Sequence, residues 1–203
     1  MSLSDLRRVA QSCAAAGTGL GAFNVVNLDT AEVFVAAAAN AHCPVVLQIS
    51  ENAVKYHGSL APLALATIEA ARRATQPVVV HLDHAESVDL IHEAVGLGFT
   101  SVMFDGSKLP FEENQVTTAD VVEFCHRHGV TVEAELGEVG GKNGVHDPTA
   151  RTDPDEAARF VLATGVDLLA VAVGSSHAMT TRGVTLDTGL IAKLHAEIGR
   201  AHV

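Results

Sequence analysis

The chain has 203 residues, 24 acidic against 13 basic, giving a formal net charge of −11. That balance argues against a nucleic-acid binder, which presents a basic face, and no apolar run approaches the roughly 20 residues of a membrane span. Cys13, Cys43 and Cys125 are an odd number at wide spacing, a reducing-compartment pattern, and the first residues lack a signal peptide's apolar core. A cytoplasmic protein with neither nucleic-acid nor membrane partners is expected.

In chain order the apolar pattern predicts a helix over 3–16, a strand over 20–25 and a helix over 30–41. A strand over 44–50, a helix over 61–74 and a strand over 77–82 follow. Then come a helix over 87–97, a strand over 101–104, a helix over 114–128 and a strand over 130–136. A helix over 154–163, a strand over 167–173 and a helix over 186–198 complete the series. Asp29 before Thr30 and Asp153 before Pro154 read as helix caps, and Gly98 and Gly129 stand where a helix ends on glycine.

The strand runs are almost continuously apolar, as burial on both faces of a parallel sheet demands. An open doubly wound sheet and a closed (β/α)₈ barrel both fit. No GxGxxG follows the first strand, which disfavours a dinucleotide-binding fold. No linker or low-complexity tract divides the chain, so one domain over 1–203 is expected.

Polar residues gather at the C-terminal ends of successive strands. They are Asn24, the 48–51 stretch with Gln48, Ser50 and Glu51, Asp83-His84, Asp105, Glu133 and Glu135, and Ser175-Ser176-His177. In a parallel α/β fold that rim is where sites are built. The densest group is His81-Leu82-Asp83-His84, where the run Val78-Val79-Val80 stops. Strand alternation sends His81 and Asp83 to one face, and the strand end then delivers His84. Two imidazoles and a carboxylate there can hold a metal and move a proton in one place. The alternative is a pair of ordinarily hydrogen-bonded histidines with Asp83 as a cap. Asp105 by itself reads as a cap of its loop.

Segments at 22–25 (AFNV), 46–50 (VLQIS), 81–84 (HLDH), 101–114 (SVMFDGSKLPFEEN), 132–137 (VEAELG) and 170–177 (AVAVGSSH) stand in one order along almost the whole chain. Together they resemble the class II, metal-dependent ketose-bisphosphate aldolases of the fructose and tagatose type. The resemblance implies a (β/α)₈ TIM barrel, here ending after the sixth strand–helix unit. It implies His84 and His177 as ligands of a catalytic Zn²⁺, Asp83 as the acid/base, and Asp105 and Glu135 as holders of a second metal. It further implies substrate contacts at Asn24 and Ser50, and at Ala178 a backbone contact to phosphate or a monovalent cation. The substrate would be a phosphorylated ketose, cleaved to dihydroxyacetone phosphate and an aldehyde phosphate, and the enzyme a homo-oligomer of sugar metabolism.

The chemistry is consistent with that reading. Retro-aldol cleavage leaves a carbanion that must spread as an enediolate, which a Lewis-acidic metal or a Schiff-base lysine can stabilise. The sixth strand carries no lysine and leads to His177, which favours the metal.

Three positions depart from the family pattern. His202 is not followed by the glycine of the third zinc-histidine motif, so that ligand is not assigned. Lys142-Asn143-Gly144 stands where relatives carry an acidic loop with a base, leaving Glu138 nearby. Ala178 replaces a glycine. The 203-residue chain alone is therefore expected to be far less active than a complete barrel, and to self-associate. The competing readings are a non-catalytic barrel remnant, another metal-dependent α/β lyase or isomerase, and an aldolase for a different phosphorylated keto-sugar, such as an inositol-breakdown intermediate.

Overall fold

Several helices begin where a side-chain oxygen accepts one of the first free N–H groups, and the central strands run where β-branched residues cluster. The computed structural model of the chain describes residues 2–136, 151–175, 183 and 185–198. The described residues fall into two compact units, the first holding Met1–Phe104 and Phe124–Val132, the second Asp105–Glu123 and Glu133–Val203.

The first unit opens with α1 (Leu6–Ala15), capped by Asp5, whose carboxylate accepts the Arg8 N–H at 2.8 Å. Its Leu6, Val9, Ala10 and Cys13 form the buried stripe that a helical period requires. Strand β1 (Gly21–Asn24) follows, then α2 (Leu28–Ala41). The cap of α2 is Asn27, not the expected Asp29. Asn27 Oδ1 accepts the Thr30 N–H at 2.9 Å, and Thr30 Oγ1 accepts the Asn27 N–H at 3.3 Å, a reciprocal capping box. Asp29 lies in the first turn, where its charge suits the positive helix end.

Strand β2 (Val45–Ser50) leads directly into α3 (Glu51–His57), a short helix that the apolar pattern does not announce. It buries no residue and so leaves no periodic stripe. After it come α4 (Ala61–Arg73), β3 (Val78–Ala85), α5 (Val88–Leu97) and β4 (Ser101–Phe104). The pairings of β1 with β2, β2 with β3 and β3 with β4 are all parallel. Val78, Val79, Val80 and Leu82 are completely buried, as expected for a strand covered on both faces. Strand β1 departs from that pattern: all four of its residues are exposed, and Phe23 stacks on Phe34 with ring centres 5.1 Å apart.

Helix α6 (Phe111–Arg127) and strand β5 (Thr131–Glu135) each contribute to both units. The second unit continues with α7 (Pro154–Thr164), β6 (Leu168–Ala170) and α8 (Thr188–Ile198). Asp153 caps α7 as expected, accepting the Glu156 N–H at 2.9 Å. Strand β6 pairs parallel with β5, Glu135 lying opposite Ala170. Phe160 and Leu194 are completely buried in this unit.

The strand order is β1-β2-β3-β4-β5-β6, the order of the sequence. A doubly wound sheet reverses its order at a switch point, whereas a TIM-type barrel adds each strand beside the last. The strict sequential order assigns this chain to the barrel type, as six of its βα units. Among the described residues no helix is long and apolar enough to cross a membrane.

Asn27→Ala should destabilise the chain by about 1 kcal/mol, and Asp29→Ala by clearly less. Urea unfolding of both variants checks this, and a larger loss at Asp29 would contradict the capping assignment.

Candidate active site and metal ligands

Strand β3 does not stop at Leu82 but runs on through Ala85, so the whole His81–His84 motif is built into the sheet. Against β2 the register is regular, with Gln48 opposite His81 and Ser50 opposite Asp83. Against β4 it slips: Leu82 pairs with Val102 but Ala85 with Phe104, three residues advancing on β3 for two on β4. Within that bulge His84 has φ +48°, a left-handed backbone that non-glycine residues seldom adopt. In a regular strand Asp83 and His84 would point to opposite faces. The turn at His84 breaks the alternation, so the carboxylate and the imidazole no longer obey it.

Asp83 is buried at the end of the strand, and its Oδ2 accepts a hydrogen bond from Gln48 Nε2 at 3.0 Å. The same amide nitrogen donates to Asn24 Oδ1 at 3.1 Å. Three strand ends are thereby tied by one side chain. Gln48 stood in the sequence only as one rim residue among several; its bridging role depends on the β1–β2–β3 register.

His81 is buried, and its Nδ1 lies 2.8 Å from Ser101 Oγ. Burial drives its imidazole from an ordinary 6.5 down to about 4, helped by the neighbouring His84 and opposed by Asp83. His81 is thus neutral at physiological pH. Ser50 caps α3, its Oγ accepting the Ala53 N–H at 3.1 Å, which leaves its own hydroxyl hydrogen to donate.

In the second unit Asp105 follows β4 directly and is buried. Its Oδ1 accepts the Ser107 N–H at 3.2 Å and also the Ser107 hydroxyl. The loop-capping expectation therefore holds for one of its oxygens. Glu135 ends β5 with no solvent exposure. Its carbonyl accepts Asn114 Nδ2 at 3.0 Å, and Thr118 Oγ1 in turn donates to Asn114 Oδ1 at 3.0 Å. A carboxylate oxygen of Asp105 lies within 4.8 Å of one of Glu135. Two buried carboxylates so close repel each other unless a cation or a shared proton intervenes. Paired carboxylate oxygens of this kind suit a divalent cation.

A cavity of about 290 Å³ opens beside this loop, lined by Ser107, Asn114, Arg151 and Thr152 among others. Gly174, just past β6, has φ +117°, and a Cβ there would lie 2.7 Å from the Thr185 carbonyl. Only glycine fits that approach. His177 and Ala178, and with them Glu138, Lys142, Asn143, Gly144 and His202, lie outside the described residues.

The sequential order of the strands, with polar side chains at their ends, defines a barrel-type α/β protein. A sequence profile described as fructose-bisphosphate aldolase class-II matches residues 4–203. The chain belongs to the class II fructose-bisphosphate aldolase family. It is 39% identical over 178 residues to a fructose-bisphosphate aldolase of Giardia intestinalis, covering 87% of this chain and 55% of that protein. It is 41% identical over 182 residues to a probable fructose-bisphosphate aldolase of Bacillus subtilis, covering 87% of this chain and 64% of that one. The chain thus spans between about half and two thirds of these relatives' length. Among solved structures, the YdjI aldolase of Escherichia coli K12 superposes with a TM-score of 0.87 at 32% identity, over 97% of this chain and 70% of that one.

The neutral state of His81 has a consequence for stability. Above pH 6.5 the imidazole is neutral in folded and unfolded chains alike, and its contribution is intact. Between 6.5 and about 4 the unfolded chain takes up a proton that the folded chain resists, so stability falls as pH drops through that window. The loss is on the order of 3 kcal/mol. His81→Asn should flatten this part of the stability profile, measured as urea midpoint against pH; an unchanged slope would contradict the assignment.

Proposed function

We propose that this chain carries six strand–helix units of a metal-dependent aldolase that cleaves a ketose 1,6-bisphosphate to dihydroxyacetone phosphate and an aldehyde phosphate. The observation that carries the reading is the pair Asp83 and His84. A proton-transfer group and a metal-ligand type are consecutive in sequence, and a left-handed residue frees them from strand alternation.

His84 is proposed as a ligand of the catalytic zinc, and Asp105 and Glu135, buried in the second unit, as holders of a second metal. His177 is proposed as a further ligand from its place in the family pattern. Zinc held there supplies Lewis acidity toward the carbonyl and hydroxyl oxygens of the sugar and steadies the charge left by cleavage.

The remaining roles fall to the chain itself. Asp83, with Oδ2 held by Gln48, keeps its other oxygen for the proton of the hydroxyl next to the scissile bond. Gln48 fixes the carboxylate without neutralising it, because an amide N–H donates and cannot give up its proton. Asn24 and Ser50 bind substrate hydroxyl or phosphate oxygens. Asn24 is exposed, and its amide nitrogen is not the atom used toward Gln48. The backbone at Ala178 is proposed to meet a phosphate group or monovalent cation. Two copies of the subunit or more are proposed for the working enzyme.

Two measurements test this. Chelation with EDTA should abolish cleavage of fructose or tagatose 1,6-bisphosphate and added zinc should restore it. Activity surviving EDTA, with substrate trapped on a lysine by borohydride, would overturn the metal reading. Asp83→Ala should keep zinc stoichiometry near that of the unaltered protein while turnover drops roughly 10²-fold or more. Zinc lost in step with activity would reassign Asp83 as a ligand.

A further inference from the structure

We infer that Glu51 is a positioning residue for His84, acting through the backbone of the β3–α5 junction. The inference rests on the reading of His84 as a metal ligand.

A glutamate in the first turn of an exposed helix ordinarily stands in solvent, favoured there by the helix dipole alone. Glu51 does not. Its side chain is only 13% exposed and reaches a segment 35 residues further along the chain. Oε2 accepts the Glu86 N–H at 2.7 Å and the Ser87 N–H at 3.3 Å, while Oε1 pairs with Lys55 Nζ at 2.8 Å. Glu86 and Ser87 are the second and third residues after His84. Ser87 is also the cap of α5, its Oγ accepting the Leu90 N–H at 3.3 Å. The carboxylate therefore fastens the point where β3 becomes helix.

The left-handed turn at His84 needs such a fastening on both sides, because an unrestrained histidine returns to the ordinary extended or helical regions. On the N-terminal side the chain is held by the β2 register, in which Ser50 lies opposite Asp83. On the C-terminal side it is held by the pairing of Ala85 with Phe104 and, one residue further, by Glu51. Two consecutive residues at the β2–α3 junction thus bracket His84 from before and after. Lys55 holds the other oxygen of Glu51 and leaves Oε2 to the backbone.

The experiment compares Glu51→Ala, Glu51→Gln and Lys55→Ala with the unaltered chain in two arms. In the metal-free arm, NMR follows the His84 ¹³Cα shift, which reports its left-handed backbone, and the exchange of the Glu86 and Ser87 amides. Glu51→Ala should move the shift toward ordinary values and deprotect both amides. Glu51→Gln keeps one acceptor oxygen and should fall between, and Lys55→Ala should match the unaltered chain. In the metal arm, zinc affinity is measured by chelator competition. Glu51→Ala should weaken it about 10-fold or more, the range known for residues that orient a ligand. A Glu51→Ala chain with unchanged His84 shift and unchanged zinc affinity overturns the inference. An unaltered chain that binds no zinc overturns the metal reading instead, and the metal-free arm then still decides the role of Glu51.

Discussion

Neighbouring side chains on a β-strand point to opposite faces, and the proposed site, which uses Asp83 and His84 together, must defeat that rule. The chain does so at a single residue. His84 takes a left-handed backbone inside a bulge where β3 advances three residues for two on β4. Such a conformation costs on the order of 1–3 kcal/mol for a residue with a Cβ and persists only when its surroundings over-determine it. The regular β2 register before it and the Glu51 bonds after it meet that condition.

That local departure stands on a regular base. The valines of β3 and the apolar residues of β2 are buried because a parallel sheet is covered on both faces. Each fully buried Val or Leu side chain contributes about 1.5–3 kcal/mol relative to exposure, so the strand bodies can absorb a strained end. The parallel direction puts every strand's C-terminal end on one rim, and the polar residues collect there. Asn24, Gln48 and Asp83 show how the rim is wired. One amide, fixed by strand register, orients the carboxylate of the next strand and the carboxamide of the previous one.

Charge is distributed to match. The chain carries a formal −11, and two of its carboxylates, Asp105 and Glu135, are buried close together. Water cannot screen them there, so the pair repels unless a cation or a shared proton lies between them. His81, by contrast, is kept neutral by burial and spends its Nδ1 on Ser101. Of the two histidines in the motif, one belongs to the interior and the other to the rim. The four-residue motif alone does not tell them apart.

Much of this was legible in the residues alone. The alternation of apolar runs and capped helices determined a parallel βα repeat, because burial on two faces leaves no polar alternation in a strand. The clustering of Asn24, Ser50, Asp83, Asp105 and Glu135 at strand ends determined where a site would lie. The ordered segments along the chain, with 105–114 the most specific among them, pointed to the family. Other features needed the tertiary structure. Asn27 displaces Asp29 as a cap because the carboxamide and the Thr30 hydroxyl satisfy each other's backbone groups, a reciprocity that exists only once the first turn has formed. Helix α3 buries nothing and so writes no apolar period. The bulge at His84, the Gln48 bridge and the reach of Glu51 to Glu86 and Ser87 all join residues distant in sequence. Only pairing register brings such residues within hydrogen-bond distance, and register is a property of the assembled sheet rather than of any one strand.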